Sequence, residues 1–337
     1  MKKRIGLKDI AHHVGVSTAL VSYVLNGQAE EKQVGKEVAE KIKKAAEELN
    51  YRPNQLAKSL KTNKSNTIGL IVADINYRFS SGITRAVESE AKRKGYTVIF
   101  GSSNESSEKF SELVNVLINH QVDGLILVPV ENSEPSIKAL QKSEIPFVLI
   151  DRNFPNLLAN SILLDNYKAA FDSVVHLIRN GHKRIAFINY QGKLSNLHER
   201  TRGYIAALKE HGLDYQPEWS PLIRSNHVEA DMHKAIVDLT SGQQCDAIFF
   251  ATDRLSIAGL KEIVKLRIRV PEDLSVFSFD EAEAFELFSC PVSHARQPLE
   301  KMGKIAVSTL LDLMNKNRII NHTYLETEFV PGKSCRE

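Results

Sequence analysis

Four aspartates and one arginine occupy positions from which they could bind a small polyhydroxylated ligand. Each aspartate lies within three residues of the end of a short apolar run, and the arginine lies at an apparent helix start: Asp74, Asp151, Arg202, Asp253 and Asp280. Carboxylates accept hydrogen bonds from neighbouring hydroxyl groups, and a guanidinium donates a fork of them. A single aspartate at a strand end more commonly caps a turn. Five such groups together favour a sugar-like ligand.

No motif in the chain indicates catalysis. No Gly-x-Gly-x-x-Gly follows an apolar run, and Gly332-Lys333-Ser334 lacks the upstream glycine of a phosphate-binding loop. Neither a Gly-x-Ser-x-Gly elbow nor His-Glu-x-x-His is present. His12-His13 and His198-Glu199 lack metal-ligand spacing. We therefore expect a protein that is not an enzyme and needs no metal or cofactor.

A second group of small polar residues lies near the N-terminus. It comprises Thr18, Ala19, Ser22, Tyr23 and Asn26. These are small, hydroxyl-bearing or amide side chains (with one aromatic phenol), which can approach the edges of DNA bases closely. Their spacing puts them on one face of a short helix, opposite Leu20, Val21, Val24 and Leu25.

The segment before that helix predicts a helix-turn-helix. Leu7, Ile10, Ala11 and Val14 recur at helical spacing, Gly15 breaks the pattern, and Ser17 stands at an N-cap position. The second helix of such a unit can enter the major groove of DNA. Taken alone, a pattern this short equally fits an ordinary amphipathic hairpin. A third helix, from Val34 to Leu49, would close a small three-helix domain.

From Thr67 onward, short apolar runs alternate with amphipathic stretches. Seven runs predict strands: Ile68–Val72, Thr97–Phe100, Gly124–Val128, Phe147–Ile150, Ile185–Ile188, Ala247–Phe250 and Leu274–Phe277. Such near-continuous apolar runs are typical of parallel strands buried on both faces, and the helices between them predict a doubly wound α/β body. Polar crossings near Asn160–Leu164 and Pro291–Gln297 would divide it into two subdomains, with a ligand cleft at the carboxyl ends of the strands.

The predicted domains follow from these patterns. They are a helix-turn-helix domain at 1–50, a hinge at 51–64 and a body at 65–334, with subdomain 1 at about 66–162 plus 293–323 and subdomain 2 at about 163–292 plus 324–334. Residues 1–64 carry 13 Lys and Arg against 7 Asp and Glu, a net charge of +6, whereas the rest carries −3. A basic head on a slightly acidic body favours DNA as the partner of the head.

The sequence also indicates the cellular compartment of the protein. No signal peptide or membrane span is evident, and the three cysteines are widely separated: Cys245, Cys290 and Cys335. An odd number of cysteines without metal spacing suits a reducing cytoplasm. We therefore expect a cytoplasmic protein that does not bind a membrane.

These features together resemble the LacI/GalR family of bacterial transcription regulators. The most specific matches are Leu7–Gly27, the run Leu49-Asn50-Tyr51-Arg52-Pro53-Asn54 with Ala57 and Leu60, and Ser275-Val276 with Phe279-Asp280. The resemblance covers essentially the whole chain. It implies an N-terminal all-α head, an α/β periplasmic-binding-protein-like body, and a homodimer that binds a palindromic double-stranded operator. The chain ends without leucine heptads, so we expect a dimer and no tetramer.

The resemblance also implies roles for individual residues. Thr18, Ala19 and Ser22 would contact bases in the major groove, with Tyr23 and Asn26 on the same stripe. Leu60 would wedge into a minor-groove step that Asn54, Gln55 and Ala57 also line. Asp151, Arg202, Asp253 and Asp280 would contact the effector, and Asp74 and Phe79 would lie in the cleft wall.

The chain departs from the family pattern at several places. Tyr23 stands where arginine is common, Thr252 replaces a common asparagine, and Tyr77-Arg78 replaces an Asn-Pro pair in the cleft wall. These substitutions argue against assigning it the ligand of any well-known member.

We therefore expect a repressor of carbohydrate-utilisation genes, controlled by a small sugar-like effector. The alternatives are a purine- or phosphosugar-responsive corepressor-type regulator, a sugar-binding protein without a regulatory role, and an α/β enzyme. The sequence does not identify the effector, the operator, the target genes or the sign of the effect on DNA binding.

Overall fold

The computed structural model describes residues 5–51, 64–242, 245–316 and 320–336 of the chain. Two compact units are present, the head at residues 1–65 and the body at residues 66–337. Each is described by itself below. Within the described residues, no helix is long and apolar enough to cross a membrane.

The head contains three helices around a small apolar core. These are α1 (Leu7–Val14), α2 (Thr18–Leu25) and α3 (Lys36–Glu48). The turn between α1 and α2 requires Gly15, whose φ of 75° is a left-handed conformation that glycine adopts without strain. Each helix contributes one apolar stripe to the core, which consists of Ile10, Ala11, Val21, Val24, Ala39, Ile42, Ala45 and Ala46.

The first half of the body is a six-stranded parallel sheet in the order β11-β5-β4-β3-β1-β2. Its strands are β1 (Thr67–Val72), β2 (Thr97–Ser102), β3 (Gly124–Leu127), β4 (Phe147–Ile150), β5 (Ser161–Leu164) and β11 (His322–Leu325). Its helices are α4 (Arg78–Arg93), α5 (Ser107–Asn119), α6 (Glu134–Lys142) and α11 (Leu299–Met314). β3 is buried throughout and β1 at every residue after Thr67, as the apolar runs predicted.

The second half repeats this plan with strand order β12-β10-β9-β8-β6-β7. Its strands are β6 (Ile185–Tyr190), β7 (Leu222–Ile223), β8 (Ala247–Phe250), β9 (Ser275–Phe279), β10 (Ser293–Arg296) and β12 (Glu328–Val330). Its helices are α7 (Asn166–Arg179), α8 (Ser195–Glu210), α9 (Val228–Val237) and α10 (Asp253–Lys265). Every pairing is parallel except that of β12 with β10.

All seven predicted strands are present, and the predicted fold class is confirmed. Three details of the predicted division are wrong. The supposed crossing at Asn160–Leu164 contains β5, a strand of the first sheet. The segment Ser293–Arg296, predicted in subdomain 1, pairs with β9 in the second sheet. The segment His322–Leu325, split between the two subdomains by the prediction, pairs with β5 in the first.

For β10 and β11, the physical reason for these errors is that the strands carry polar side chains. Ser293 and His294 of β10 are buried and hydrogen-bonded within the protein: the Ser293 backbone N–H donates to Ser334 Oγ at 2.8 Å, and His294 Nδ1 lies 2.9 Å from the Val292 carbonyl oxygen. Apolar runs therefore mark the sheet centres, whereas the outer strands β10, β11 and β12 lack that signal.

Candidate functional site

Helix α2 carries the candidate DNA-contacting face of the head. Ser17 caps it, since its Oγ accepts a hydrogen bond from the Leu20 backbone N–H at 3.2 Å. Val21 and Val24 are buried against the other helices. The predicted stripe lies on the outer side: Thr18, Ala19 and Asn26 are exposed, and Ser22 and Tyr23 are half-buried.

Local hydrogen bonds organise the C-terminal end of this face. The side chain of Asn26, which follows α2, donates to the Ser22 carbonyl oxygen at 2.8 Å and to Ser22 Oγ at 3.2 Å. Lys32 places its ammonium 6.0 Å from the centroid of the Tyr23 ring. The predicted minor-groove residues Asn54, Gln55, Ala57 and Leu60 lie outside the described residues.

The body contains a cleft at the carboxyl ends of the strands of both sheets. It encloses about 1080 Å³, including solvent at its mouth. Its lining comes from both halves and from the crossing between them: Ala73, Tyr77, Phe79, Ser80, Glu105, Val128, Glu131, Asp151, Arg152, Tyr190, Gln191, Gly192, Leu194, Asn196, Leu197, Arg200, Ser225, Thr252, Asp253, Arg254, Asp280 and Gln297.

Two of the predicted aspartates enter the cleft through left-handed backbone conformations. Asp151 follows β4 with a φ of 66°, and Asp280 follows β9 with a φ of 69°. Aspartate tolerates this region better than most residues, but the conformation still carries strain, which is concentrated at functional sites in proteins. In both cases the turn directs a carboxylate into the cleft at a strand end.

Arg200 lies at the centre of the cleft. It is 2 % exposed, and its Nε donates to Asn166 Oδ1 at 2.8 Å while Nη1 donates to the Ala251 carbonyl oxygen at 2.6 Å. Its guanidinium stacks 3.5 Å from the centroid of the Phe279 ring, and Nη1 lies 3.9 Å from Asp280 Oδ2. The guanidinium is therefore held by four residues from three separate segments.

The prediction that Arg202 contacts the ligand is wrong. Its side chain is 67 % exposed and forms an ion pair with Glu199 at 2.7 Å, away from the cleft. Arg200, two residues earlier on α8, lines the cleft instead, because two residues correspond to about 200° around a helix. Gly203 allows this placement, since a Cβ there would lie 2.2 Å from the Tyr167 carbonyl oxygen on α7.

Asp74 is also outside the cleft lining. Its Oδ1 accepts hydrogen bonds from the backbone N–H and the side-chain amide of Asn76, both at 2.9 Å. This is the local turn role that short polar side chains commonly have. By contrast, the cleft brings together the predicted residues Phe79, Asp151, Asp253 and Asp280.

Burial sets the electrostatics of these acids. Desolvation raises the pKa of Asp151 and of Asp253, and it raises the pKa of Asp280 to about 7 despite the opposing charge of Arg200. Gln297 Nε2 donates to Asp280 Oδ1 at 2.6 Å. The cleft therefore holds carboxyl groups whose anionic form is disfavoured in the empty site.

The opposite wall carries a buried ion pair that the sequence interpretation missed. Arg152 donates from Nη1 and Nη2 to the two carboxylate oxygens of Glu105, each at 2.8 Å. The tyrosine Tyr190 lines the same cavity, and burial raises the pKa of its phenol. No local motif marks these residues, because their positions become adjacent only through the order of the strands.

Several buried polar atoms of the cleft have no hydrogen-bond partner. Within the described part of the chain, nine buried side-chain polar atoms lack one, and five of the nine line this cavity: Ser80 Oγ, Asp151 Oδ1, Arg152 Nε, Tyr190 Oη and Gln297 Oε1. Buried polar groups are normally paired. Their concentration in one cavity indicates a bound ligand or water as the missing partner.

The two walls of the cleft also contact each other. Arg78 at the start of α4 forms an ion pair with Glu281 at 2.8 Å and with Glu283 at 3.2 Å. Glu131 accepts a hydrogen bond from the Lys193 backbone N–H at 2.5 Å. Among the described residues, no group of three or more His, Cys, Asp or Glu side chains could hold a metal ion.

Comparisons with known proteins agree with this geometry. Residues 6–54 match the model of bacterial regulatory proteins of the lacI family, and residues 174–335 match that of a periplasmic binding protein-like domain. A HTH-type transcriptional repressor PurR from Aliivibrio fischeri (strain MJ11) is 31 % identical over 91 % of this chain and 90 % of its own length. The ribose operon repressor of Haemophilus influenzae is 31 % identical over 97 % and 98 %.

A solved structure shows the same fold. The lac repressor dimer bound to operator and the anti-inducer ONPF superposes with a TM-score of 0.86 at 23 % identity, covering 98 % of this chain and 99 % of that one.

Proposed function

Because this chain belongs to the LacI family of bacterial regulatory proteins, we propose that it represses carbohydrate-utilisation genes under the control of a sugar bound in the cleft. Its relatives are transcriptional repressors, and the chain is accordingly a DNA-binding transcriptional regulator and not an enzyme. We propose three things beyond the family: a sugar as the effector, carbohydrate-utilisation genes as the targets, and action in the cytoplasm.

The observation that carries the sugar proposal is the chemistry of the unpartnered atoms in the cleft. Ser80 Oγ, Arg152 Nε and Tyr190 Oη are able to donate, whereas Asp151 Oδ1 and Gln297 Oε1 accept. A hydroxyl group both donates and accepts, so a polyol satisfies donors and acceptors alike. Leaving each atom unpaired costs about 1–3 kcal/mol, so a ligand that pairs them recovers that free energy. The name of the ribose operon repressor supports the same class of effector.

The head would bind DNA through the outer face of α2. We propose that Thr18, Ala19 and Ser22 approach base edges in the major groove, with Tyr23 and Asn26 at the margin of the same face. Since the sequence of α2 contains no arginine or lysine, bidentate guanine contacts are not expected from this helix. Minor-groove contact by Asn54, Gln55, Ala57 and a wedging Leu60 is part of the proposal.

Two copies would pair along the edge of the first sheet. β2 is an edge strand, and its Ile99 and Phe100 side chains are 43 % and 52 % exposed. Exposed apolar edge strands favour association, and a two-fold dimer would present two heads to a palindromic operator. Phe100→Asp should shift the sedimenting species from dimer to monomer, whereas Leu287→Asp, at an even more exposed apolar site, should not. A dimeric Phe100→Asp variant would rule out this interface.

Effector control would operate through the cleft walls. The ligand lies between the two halves of the body, so its affinity depends on how far the walls have closed. Any difference in affinity between two wall arrangements shifts the equilibrium between them, and reciprocity then changes the affinity for DNA.

The test is a thermal-shift screen of the full chain against sugars, sugar phosphates, sugar acids and nucleobases. A bound sugar should raise the melting temperature, because it stabilises only the folded state. The same sugar should change the affinity for an operator recovered from random duplexes. The shift should disappear in Arg200→Ala and persist in Arg202→Ala. A nucleobase that raises the melting temperature when no sugar does would overturn the sugar proposal.

A further inference from the structure

The helix proposed to meet DNA carries no positive side chain of its own. The sequence of α2 contains neither lysine nor arginine. Affinity for DNA comes largely from cationic side chains that neutralise phosphates, because their binding releases counterions from the duplex. Cationic contacts beside the outer face of α2 must therefore come from a neighbouring segment.

The turn that follows α2 brings a cation to this face. The Lys32 side chain places its ammonium 6.0 Å from the centroid of the Tyr23 ring, at the outer limit of a cation–π contact. Tyr23 is half-buried at the margin of the proposed DNA-contacting face, and Lys32 is exposed. The ammonium therefore lies beside that face and remains accessible from solvent.

Backbone hydrogen bonds fix the position of Lys32 relative to α2. The Gln28 N–H donates to the Tyr23 carbonyl oxygen at 2.8 Å, and the Lys32 N–H donates to the Gln28 carbonyl oxygen at 2.9 Å. The turn closes where the Val34 N–H donates to the Ala29 carbonyl oxygen at 2.7 Å. Two hydrogen bonds thus connect Lys32 to Tyr23 through Gln28, so the lysine side chain begins at a defined point next to α2.

A neighbouring carboxylate holds the ammonium of Lys32 in the absence of DNA. Glu31 Oε1 lies 2.8 Å from Lys32 Nζ, and the two side chains are 65 % and 41 % exposed. An ion pair this exposed contributes little free energy, because water screens it. A phosphate can therefore replace Glu31 as the partner of Lys32 at small cost. Glu31 also places a negative charge where a phosphate backbone would approach the head.

We propose that Lys32 contacts DNA and that Glu31 restrains it, so that operator binding exchanges the Glu31 carboxylate for a phosphate. This inference rests on the proposed contact between the α2 face and DNA. Lys32 would reach a phosphate that flanks the bases met by α2, because its ammonium lies beside Tyr23 at the margin of that face. Lysine binds phosphate as a point charge, and such a contact positions a protein without reading the base sequence.

The experiment measures the salt dependence of operator binding by the full chain. Fluorescence anisotropy with the selected operator is recorded from about 50 to 200 mM salt, where each lost phosphate contact reduces the slope of log affinity against log salt by about 0.9. Lys32→Gln should show that reduction and lower affinity roughly three- to tenfold for each head bound.

Lys41→Gln is the matched control for this variant. Lys41 is also an exposed lysine paired with a glutamate, since its Nζ lies 2.8 Å from Glu37 Oε1, but it lies on α3. Its replacement removes the same charge from the head and should leave the salt slope unchanged.

Replacing the restraining carboxylate should have the opposite sign. Glu31→Gln should raise operator affinity several-fold, because it frees Lys32 and removes a charge that repels phosphates. The gain should be larger in the parent than in Lys32→Gln, where no lysine is left to free, and a double-mutant cycle measures that difference. Glu30→Gln is the matched control, because it removes one negative charge from the same exposed turn. Its effect should be equal in both backgrounds.

The outcomes separate the contact by Lys32 from the proposed α2 face. An unchanged salt slope in Lys32→Gln, together with a large loss of affinity in Ala19→Glu on the α2 face, overturns the Lys32 contact and leaves α2 at the DNA. A loss in Lys32→Gln that depends on the base at one operator position overturns the phosphate contact in favour of a base edge. Equal gains from Glu31→Gln in both backgrounds overturn the restraint by Glu31. Unchanged binding by Ala19→Glu contradicts the α2 face itself.

Discussion

The head and the body present binding surfaces of opposite design. The outer face of α2 lies within the nine consecutive residues 18–26. It is held by contacts within the helix or next to it, such as the Ser17 cap and the Asn26–Ser22 hydrogen bonds. The cleft draws its side chains from widely separated segments of both sheets. A local surface keeps its polar atoms in water, whereas an enclosed one removes them from water before the ligand arrives.

The difference has an energetic consequence. Among the described residues of the head, no buried side-chain polar atom lacks a hydrogen-bond partner, whereas the cleft holds five. Buried polar groups without partners destabilise the folded state. The head can therefore change its binding face without losing stability, while in the body binding and stability are coupled through the same side chains.

Replacing Arg200 tests this coupling with the largest expected effect. Arg200→Ala removes the charge beside Asp280, the donor to Asn166 Oδ1 and the donor to the Ala251 carbonyl oxygen in a buried site. Breaking such a buried network costs about 3–5 kcal/mol. The free energy of unfolding of the variant in urea should fall by that amount. Arg202→Ala, which removes an exposed pair with Glu199 and a contact with the Tyr167 ring at 5.5 Å, should change it by less than about 1 kcal/mol. Equal losses in the two variants would mean that α8 does not turn Arg200 toward the cleft and Arg202 toward solvent.

The sequence predicts the local features of the molecule better than the contacts between distant segments. The apolar runs predict the sheet centres, and the helix-turn-helix pattern predicts α1 and α2, because both signals are local in the chain. In α8, the buried positions Asn196, Arg200, Gly203, Tyr204 and Ala207 follow helical spacing. Helical spacing counted back from the buried residues Tyr204 and Ala207 reaches Arg200 and not Arg202. This spacing would therefore have identified Arg200 as the inward-facing arginine.

Other cleft residues could not be found in this way. The Arg152–Glu105 pair joins positions 47 residues apart, and Gln297 reaches Asp280 only because β10 lies beside β9. No periodicity reports such contacts, since they depend on strand order. The turn role of Asp74 is equally invisible, because the sequence places an aspartate after β1 just as it places one after β4 and β9.

A charge on α2 tests whether the head separates binding from stability. Ala19→Glu places a carboxylate on the exposed face proposed to meet DNA, where it should repel phosphates and lower operator affinity roughly 100-fold. Stability should not fall, because an acidic residue in the first turn of a helix is favourable. Fluorescence anisotropy with a labelled operator and urea unfolding measure the two quantities.

Lys41→Gln is the control for that variant. It changes the net charge of the head by the same amount, on the exposed side of α3, where Lys41 pairs with Glu37. Operator affinity should change only a few-fold. An Ala19→Glu protein that binds operator as well as the parent would remove the α2 face from the DNA interface.

The pH dependence of stability should show the coupling in the body. The folded-state pKa of Asp280 is raised to about 7 by burial, with Arg200 opposing and Asp253 and Asp151 adding to the rise. The neutral carboxyl of Asp280 therefore contributes its full share to the free energy of unfolding below the unfolded-state pKa, near 4. This contribution is lost as the pH rises through 7. Asp280→Asn should leave the melting temperature near that of the parent at pH 4.5 and raise it by roughly 2–4 °C at pH 8.

Asp273→Asn is the control, because the pKa of Asp273 is shifted in the opposite direction from that of Asp280. Its hydrogen bonds with Arg269 lower the pKa of Asp273 to about 2, so its contribution is present above the unfolded pKa. This substitution should not raise the melting temperature at pH 8. A rise in both variants would indicate a general effect of removing negative charge instead of the burial of Asp280.

The smallest expected effect concerns the contact between the two walls. Tyr77-Arg78 stands where the family pattern has an Asn-Pro pair. The Arg78 side chain, about one-third exposed, reaches Glu281 across the cleft at 2.8 Å. Exposed pairs contribute only about 0.2–1 kcal/mol, so Arg78→Glu should weaken effector binding only a few-fold by favouring the open walls. The charge exchange Arg78→Glu with Glu281→Arg should recover only part of that loss, because Glu281 also pairs with Arg296 at 3.1 Å and Arg78 with Glu283 at 3.2 Å. Recovery would show that a contact between the two cleft walls changes the ligand affinity of the body without touching the ligand. The head, whose binding face lies on one exposed helix, has no such contact between walls. An exchanged protein that binds as weakly as Arg78→Glu alone would instead assign the effect to Arg78 by itself.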